Sequence, residues 1–370
     1  MQNGTFLTTL PVILIVDLRR GWLRSAIVGL AHPLRFALFG AGFWARYQLS
    51  AWQELGGVEC VAIYNRTLSR AEALAREFGA DRAYGDAEAL LAAEDLDFVD
   101  IATDVSTHAP FVKMAAERGI PVICQKPMGI TLAECEEMVS ACREAGVPLL
   151  IHENWRWQAP IRAVKDLLRK RPIGEIARAR ISMVTGFDVF ENQPFLRETE
   201  QFILADLGSH LLDTARFLFG EPCSLYCRTQ RIRRDIRGED VATVLLSFRE
   251  GPVVICEMSY AGSRREGDCF PQTMISVEGS EGTLDLGPGY EIRVVNGKGA
   301  RCVRAEPPLY SWADPQYQVV HSSIVPIVAN LRDALLGKTC AETTGDDNLR
   351  TMRLVFAAYE SAARNQVLPV

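Results

Sequence analysis

The sequence predicts an α/β fold in which a doubly wound parallel sheet is followed by an α+β domain with a large, mostly antiparallel open sheet. Three observations carry that prediction. A short apolar run at 35–39 breaks into a turn holding Gly40 and Gly42 and continues as a helix. Apolar runs then alternate with charged, alanine-rich stretches as far as residue 152, the pattern of parallel strands covered on both faces. Beyond it the apolar runs lengthen and alternate with a period of two, as half-buried antiparallel strands do. With 370 residues the chain is long enough for two domains with cores of their own, and the change of periodicity sets them at 34–152 and 153–370.

Residues 1–33 stand apart. The apolar run 10–16 is closed off by Asp17, Arg19 and Arg20, is too short to span a membrane, and lacks the basic prefix and small-residue cleavage site of a signal peptide. It reads as an N-terminal extension outside the fold, from an upstream start codon. The first strand opens near Leu34. Gly40 then permits a tight turn, Gly42 lets the backbone approach a pyrophosphate, and Ala45 fills the small position where helix and strand pack closely. The helix that begins there aims its free N–H groups at phosphates. Because the next apolar run, 60–64, arrives one helix later, the strand–helix–strand unit is complete, and the turn reads as that of a dinucleotide-binding Rossmann domain rather than a doubly wound domain with an empty turn.

Further helices are expected at Leu68–Phe78, 86–93, 109–118 and Leu132–Ala145, with strands at 98–102, 121–124 and 148–151. In the second half the expected strands are 177–184, 242–248, 253–260 and 274–278. One amphipathic helix falls at 204–218, and a closing helix at 346–363 is apolar at Leu349, Met352, Val355 and Phe356.

Composition narrows the partners. The net charge is −6 with no basic stripe, so nucleic acid is not expected as a partner, and no run is long enough to place the chain in a membrane. The ten cysteines are scattered without a C-x-x-C or Cys/His grouping, which argues against a metal site and for reduced thiols in the cytoplasm.

The residue closing the second strand normally reads the adenosine ribose, and an acid there repels a 2′-phosphate. This chain has Asn65, followed by Arg66, Ser69 and Arg70. The cofactor is therefore NAD(P), with the cations tipping the balance toward NADP; solvated arginines at a helix start are the alternative. Lys126, between Gln125 and Pro127, stands at the carboxyl edge of the parallel sheet where ligands of such folds lie, although by position alone it reads as a surface lysine more often than not. Asp206 and His210 are four residues apart, a spacing that puts carboxylate and imidazole on one helix face, where the acid would fix the base's tautomer. Gly208 between them weakens the helix for no benefit visible in the sequence. His108 and His152 each follow an expected strand, and either is a candidate to face the same cleft. Asn154 and Arg156 are candidate substrate hydrogen-bonders, and Trp155 and Trp157 are candidates for junction packing.

Together these motifs resemble the Gfo/Idh/MocA family, that of glucose-fructose oxidoreductase and inositol dehydrogenase, from Leu34 to the C-terminus. The family pattern joins a glycine-rich turn, a Glu-Lys-Pro step and an Asp-x-x-x-His helix, matched here by Gly40 to Ala45, by Lys126 with Pro127, and by Asp206 with His210. The turn at Gly279 to Leu284 also resembles the family's second sheet. The resemblance implies catalysis by Lys126, Asp206 and His210, with Lys126 relaying the hydroxyl proton and His210, oriented by Asp206, acting as base or second donor. It implies cofactor contacts at Gly40, Gly42, Phe43, Trp44, Asn65, Arg66, Ser69, Thr103, His108, Gln125 and Lys126, and substrate contacts at Lys126, Asn154, Arg156, Asp206 and His210. The family's glutamate is Gln125 here, which removes a charge beside the lysine. The implied reaction is hydride transfer from a sugar or polyol carbon. The Gln-Lys-Pro step and the stretch 187–197 are similar to bacterial aldose dehydrogenases acting on small pentoses such as apiose. Self-association into a homo-oligomer is common in the family. Two other readings share the fold: a redox-neutral enzyme with tightly held cofactor, and a cofactor-binding protein without catalysis.

Overall fold

In the computed structural model the described residues are 32–262 and 270–370, so all but the last two residues of the expected extension lie outside them. The first strand, β1 (Leu34–Phe39), feeds helix α1 (Phe43–Leu55) and returns as β2 (Val58–Tyr64). Helix α2 (Leu68–Phe78), β3 (Arg82–Tyr84), α3 (Ala87–Ala93) and β4 (Phe98–Ile101) follow, then α4 (His108–Glu117), β5 (Val122–Gln125), α5 (Leu132–Ala145) and β6 (Leu149–His152). Their six strands form one parallel sheet in the order β3-β2-β1-β4-β5-β6, the doubly wound arrangement whose switch point lies between β1 and β4. Near-continuous apolar strands such as Phe36 to Phe39, all buried, are what a sheet covered on both faces requires.

Inside this sheet one charged group stands out. Asp100, fully buried in β4, accepts from Gln48 Nε2 at 2.6 Å and from Trp52 Nε1 at 2.8 Å, so α1 is pinned to the strand by its polar as well as its apolar side. Burial pushes the Asp100 carboxyl up to about 7 against the pull of those two donors.

After α6 (Ala159–Arg169) the chain builds a nine-stranded sheet from β7 (Ile176–Val184), β8 (Ser224–Gln230), β9 (Val241–Ser247), β10 (Val253–Ser259), β11 (Met274–Gly279), β12 (Gly282–Leu286), β13 (Glu291–Asn296), β14 (Gly299–Arg304) and β15 (Leu368–Pro369). Only β7 and β10 pair in parallel; every other neighbour is antiparallel, as the alternation suggested. The expected turn after Gly279 is the hairpin between β11 and β12, with Gly279 opposite Gly282. One face of the sheet packs on α7 (Ser209–Phe219) through Leu211, Val244, Val254 and Ile275. On the other face Leu245, opposite Ile255, is exposed.

The C-terminal helices close the molecule. After the short α8 (Gln318–His321), α9 (Ile324–Leu335) lays Ile324, Ile327 and Leu331 on one face of the first sheet, and α10 (Gly345–Arg364) brings Leu349 and Met352 to the other. Residues 32–370 thus form one compact unit in which late residues complete the first core. Among the described residues no helix is long and apolar enough to cross a membrane.

Candidate active site

The site begins at the turn after β1. Gly40 has φ +116°, and a Cβ there would lie 2.6 Å from the Ala102 carbonyl oxygen, so only glycine fits. Asn65, at the end of β2, accepts from Ala41 N at 3.2 Å and so ties the turn to the strand that would read a ribose. Helix α1 starts at Gly42 with no side-chain cap, and a Cβ on Gly42 would meet nothing within 4 Å. Free N–H groups facing open space at a sheet's switch point are the setting in which a pyrophosphate binds, so these residues fit a dinucleotide. The rings of Phe43 and Trp44 turn to the protein: Phe43 lies 5.4 Å from Tyr317 and Trp44 5.8 Å from His321, between centroids. Arg66, Ser69 and Arg70 are exposed beyond Asn65, and among the described residues neither arginine forms an ion pair.

His108 does not face the cleft. It is 1% exposed, and its ring lies between two backbone carbonyls, Pro127 at 3.0 Å from Nδ1 and Thr103 at 3.2 Å from Nε2. The imidazole staples the loop after β4 to the loop after β5, which corrects the expectation of a cofactor contact from this ring. Thr103 itself accepts from the Thr107 hydroxyl at 2.7 Å.

Gln125 ends β5, and its neighbours explain why an amide stands there. Gln48 spends its Nε2 on Asp100 and therefore presents Oε1, which accepts from Gln125 Nε2 at 3.0 Å; the same amide nitrogen lies 3.4 Å from His152 Nδ1. Gln125 Oε1 in turn accepts from the Lys126 backbone N at 2.9 Å, fixing where the lysine leaves the sheet. Gln125→Glu would set a carboxylate oxygen against Gln48 Oε1. It is expected to cost about 1–3 kcal/mol of stability, read as a shift of the urea midpoint; an unchanged midpoint would contradict this network.

The peptide between Lys126 and Pro127 is cis. Lys126 Nζ reaches across to Asp206, 3.0 Å from Oδ1 and 3.3 Å from the backbone oxygen. Two oxygens of one residue can meet one ammonium because the helix is not regular there: residues Leu204–Gly208 form a π-helical turn before α7 begins. Such turns change which carbonyls a helix consumes and recur at functional sites. Gly208 has a purpose too, since a Cβ on it would press to 3.3 Å on Met258 Sδ and on Leu204 Cδ2. On its far side Asp206 Oδ2 accepts from the Tyr260 hydroxyl at 3.4 Å.

Asp206 therefore does not orient His210. The π-turn rotates the two side chains apart, and His210 Nδ1 instead meets Glu153 Oε1 at 2.6 Å, an oxygen that also accepts from Trp155 N at 3.0 Å. Trp155 stacks on the imidazole with centroids 4.0 Å apart and planes 19° apart, and is itself anchored by its Nε1–H to Thr273 at 2.9 Å. Packed rings run from there through Phe270 and Tyr317 to Phe43, joining the base to the turn of α1. Burial, and then the Lys126 cation, hold His210 well below the usual histidine range, so the ring is neutral at neutral pH. Burial also lowers His152, to about 4.

Two expected substrate residues serve packing instead. Arg156 Nε and Nη2 clasp the buried Asp213, Nη2 also meets Asp347 at 2.9 Å, and Nη1 donates to the Glu342 carbonyl, so every arm of the guanidinium is used away from the cleft. Asn154, 6% exposed, donates to Ser323 Oγ at 2.7 Å. Glu153 and Tyr260 were missed. Glu153 carries the same signal that marked Lys126, since it lies just past the carboxyl end of a parallel strand; Tyr260 follows β10 of the second sheet, away from the sheet edge that marked the others, and carries none.

A paired amine and a carboxylate-held neutral imidazole, set beside a Rossmann turn, make a site for moving protons next to a nicotinamide: the class is that of dinucleotide-dependent oxidoreductases. Residues 34–153 match the family described as "Oxidoreductase family, NAD-binding Rossmann fold", and residues 161–285 match the Gfo/Idh/MocA C-terminal domain. The chain belongs to the Gfo/Idh/MocA family of oxidoreductases. It is 44% identical over 344 residues to D-apiose dehydrogenase of Paraburkholderia graminis, covering 93% of this chain and 92% of that one. To D-apiose dehydrogenase of Rhizobium rhizogenes it is 43% identical over 337 residues, covering 91% and 97%. Among solved structures, an oxidoreductase from Agrobacterium radiobacter in complex with NAD+, L-tartaric acid and magnesium superposes with a TM-score of 0.88 at 43% identity, covering 91% and 98%. The WlbA dehydrogenase of Bordetella pertussis, at 23% identity and a TM-score of 0.77, shares the fold.

Proposed function

We propose that this dehydrogenase oxidises one hydroxyl carbon of a small aldose, D-apiose before others, with NAD(P). The observation that carries the reading is the Lys126–Asp206 pair, 3.0 Å apart, placed with a neutral, Glu153-held His210 at the carboxyl edge of the first sheet. The name of the two relatives above, similar over more than nine tenths of this chain, supports the sugar.

When bound, the nicotinamide dinucleotide supplies the acceptor for the hydride. Gly40, Gly42 and the first N–H groups of α1 would hold its pyrophosphate. Lys126 has three N–H donors, of which Asp206 takes two; the third is left for the reacting hydroxyl oxygen, where a positive charge eases loss of the proton. His210 Nε2, opposite the nitrogen engaged by Glu153, accepts that proton. Tyr260 steadies the Asp206 carboxylate from behind.

Unpaired Arg66 and Arg70 support a preference for NADP over NAD. Free thiols throughout the described residues support the cytoplasm, and the exposed Leu245, with the half-buried Ile255 opposite it on the second sheet, supports a homo-oligomer. A panel of aldoses, polyols and sugar acids, followed by absorbance of the reduced cofactor with both dinucleotides, tests the reading. Net reduction with D-apiose, and a lower Kd for NADPH than for NADH by calorimetry, are the expected results. Turnover of a sugar without net reduction would replace hydride transfer to product by redox-neutral chemistry, and a clear NADH preference would remove the NADP assignment.

A further inference from the structure

Glu153 is a carboxylate in an unusual position. It is 0% exposed, Oε1 is shared between His210 Nδ1 and Trp155 N, and Oε2 has no protein partner. The charged groups around it are committed elsewhere. Lys126, beyond β5, is paired with Asp206; Arg156, in the turn after β6, is paired with Asp213 of α7 and Asp347 of α10. His152, next to it on β6, is neutral. His210 is therefore the single ionisable group that Glu153 touches among the described residues, and Trp155 stacked on the ring keeps it from turning away.

The chemistry of that contact has two states. When Glu153 is ionised it can only accept, so the ring hydrogen sits on Nδ1 and the lone pair of Nε2 is free. When Glu153 is protonated its O–H donates to Nδ1, the ring hydrogen must sit on Nε2, and the base is lost. We propose that Glu153 is the positioning residue of His210 and the switch on its basicity, fixing the Nδ1–H tautomer when ionised and silencing Nε2 when protonated. This rests on the dehydrogenase reading for its kinetic consequence. In that step the hydroxyl O–H bond breaks, its electron pair stays on oxygen, the proton bonds to His210 Nε2, and Glu153 faces the imidazolium across Nδ1–H. Burial, opposed by Trp155 N–H and Lys126, pushes the Glu153 carboxyl up to about 7, so both states fall in the working range.

The test begins with the full-length protein without substrate or cofactor, labelled with 15N in histidine, His210 being assigned by its loss in His210→Asn. The Nδ1–H tautomer is expected at high pH, giving way to Nε2–H with a midpoint near 7. In Glu153→Gln the amide carbonyl must still face Trp155 N, so Nδ1–H is expected throughout and the midpoint disappears. An Nε2–H tautomer at high pH, or an unmoved midpoint in Glu153→Gln, overturns the proposal whatever the protein oxidises. The kinetic arm uses D-apiose with saturating cofactor: kcat/KM of the native enzyme is expected to fall about tenfold per pH unit below the midpoint, and that limb is expected to be lost in Glu153→Gln. A limb that persists in the variant overturns the switch. Absence of activity on every sugar would instead sink the functional reading, and the tautomer would still be decided by the spectra.

Discussion

Lys126→Ala is expected to lower kcat by about two to four orders of magnitude while leaving the Kd of the dinucleotide nearly unchanged. The ammonium keeps one donor for the substrate oxygen once Asp206 has taken its share. Its loss also strands the Asp206 carboxylate with only the Tyr260 hydroxyl, and releases His210 from a neighbouring cation that lowers its pKa. None of this touches Gly40, Gly42 or Asn65, which on the proposed reading would hold the other end of the cofactor. His210→Ala, which removes the acceptor rather than the donor, should cost a similar factor. Stopped-flow turnover together with calorimetry of cofactor binding separates the two effects. Native turnover in both variants would strip these residues of their roles, and a large loss of cofactor affinity would reassign Lys126 to binding.

Arg156→Ala is expected to destabilise the fold by about 3–5 kcal/mol, because breaking a buried pair by deleting one partner leaves the other charge uncompensated. Asp213 is 0% exposed and, among the described residues, keeps only the Thr351 hydroxyl at 3.1 Å and the more distant Arg216 cation at 3.8 Å when Arg156 is gone. Asp213 also lies three residues past His210 on α7, and Arg156 one residue past Trp155, so the pair clamps the helix of the base to the turn that stacks on it. Arg156→Lys keeps a charge but loses the two-pronged fit and should fall between native and alanine. Urea unfolding reads both; a loss below about 1 kcal/mol for alanine would show the network to be dispensable.

Much of this was legible in the order of residues. The glycine turn announced itself because Gly40 is needed for a backbone reason that no other residue satisfies, and such reasons are local. Helices α3 and α5 were equally plain, and the structure shows how they start: Thr131 and Glu134 form a capping box on α5, and Asp86 caps α3. Helices α6, α8 and α9 and strands β3, β8, β12, β13, β14 and β15 went unread. Strand β14 is exposed at every position, so it offers no alternation to detect. The region 204–218 was read as one regular helix because π-turns have the same apolar content as α-turns.

Asp206 and His210 were singled out together and wrongly joined. Four residues along a regular helix would have put them together, but the π-turn gives each a partner from another part of the chain, 80 residues away for Asp206 and 57 for His210. Arg156 and Asn154 were misassigned for a related reason, since a polar side chain looks free until its acceptors arrive from residues 213, 323 and 347. By itself, then, the sequence determined the two sheets, the cofactor turn and the amine and imidazole of the site, because each is written in short-range spacing. Which carboxylate serves which base was decided only by tertiary structure, because hydrogen-bond partners are set by distances between segments that are remote along the chain.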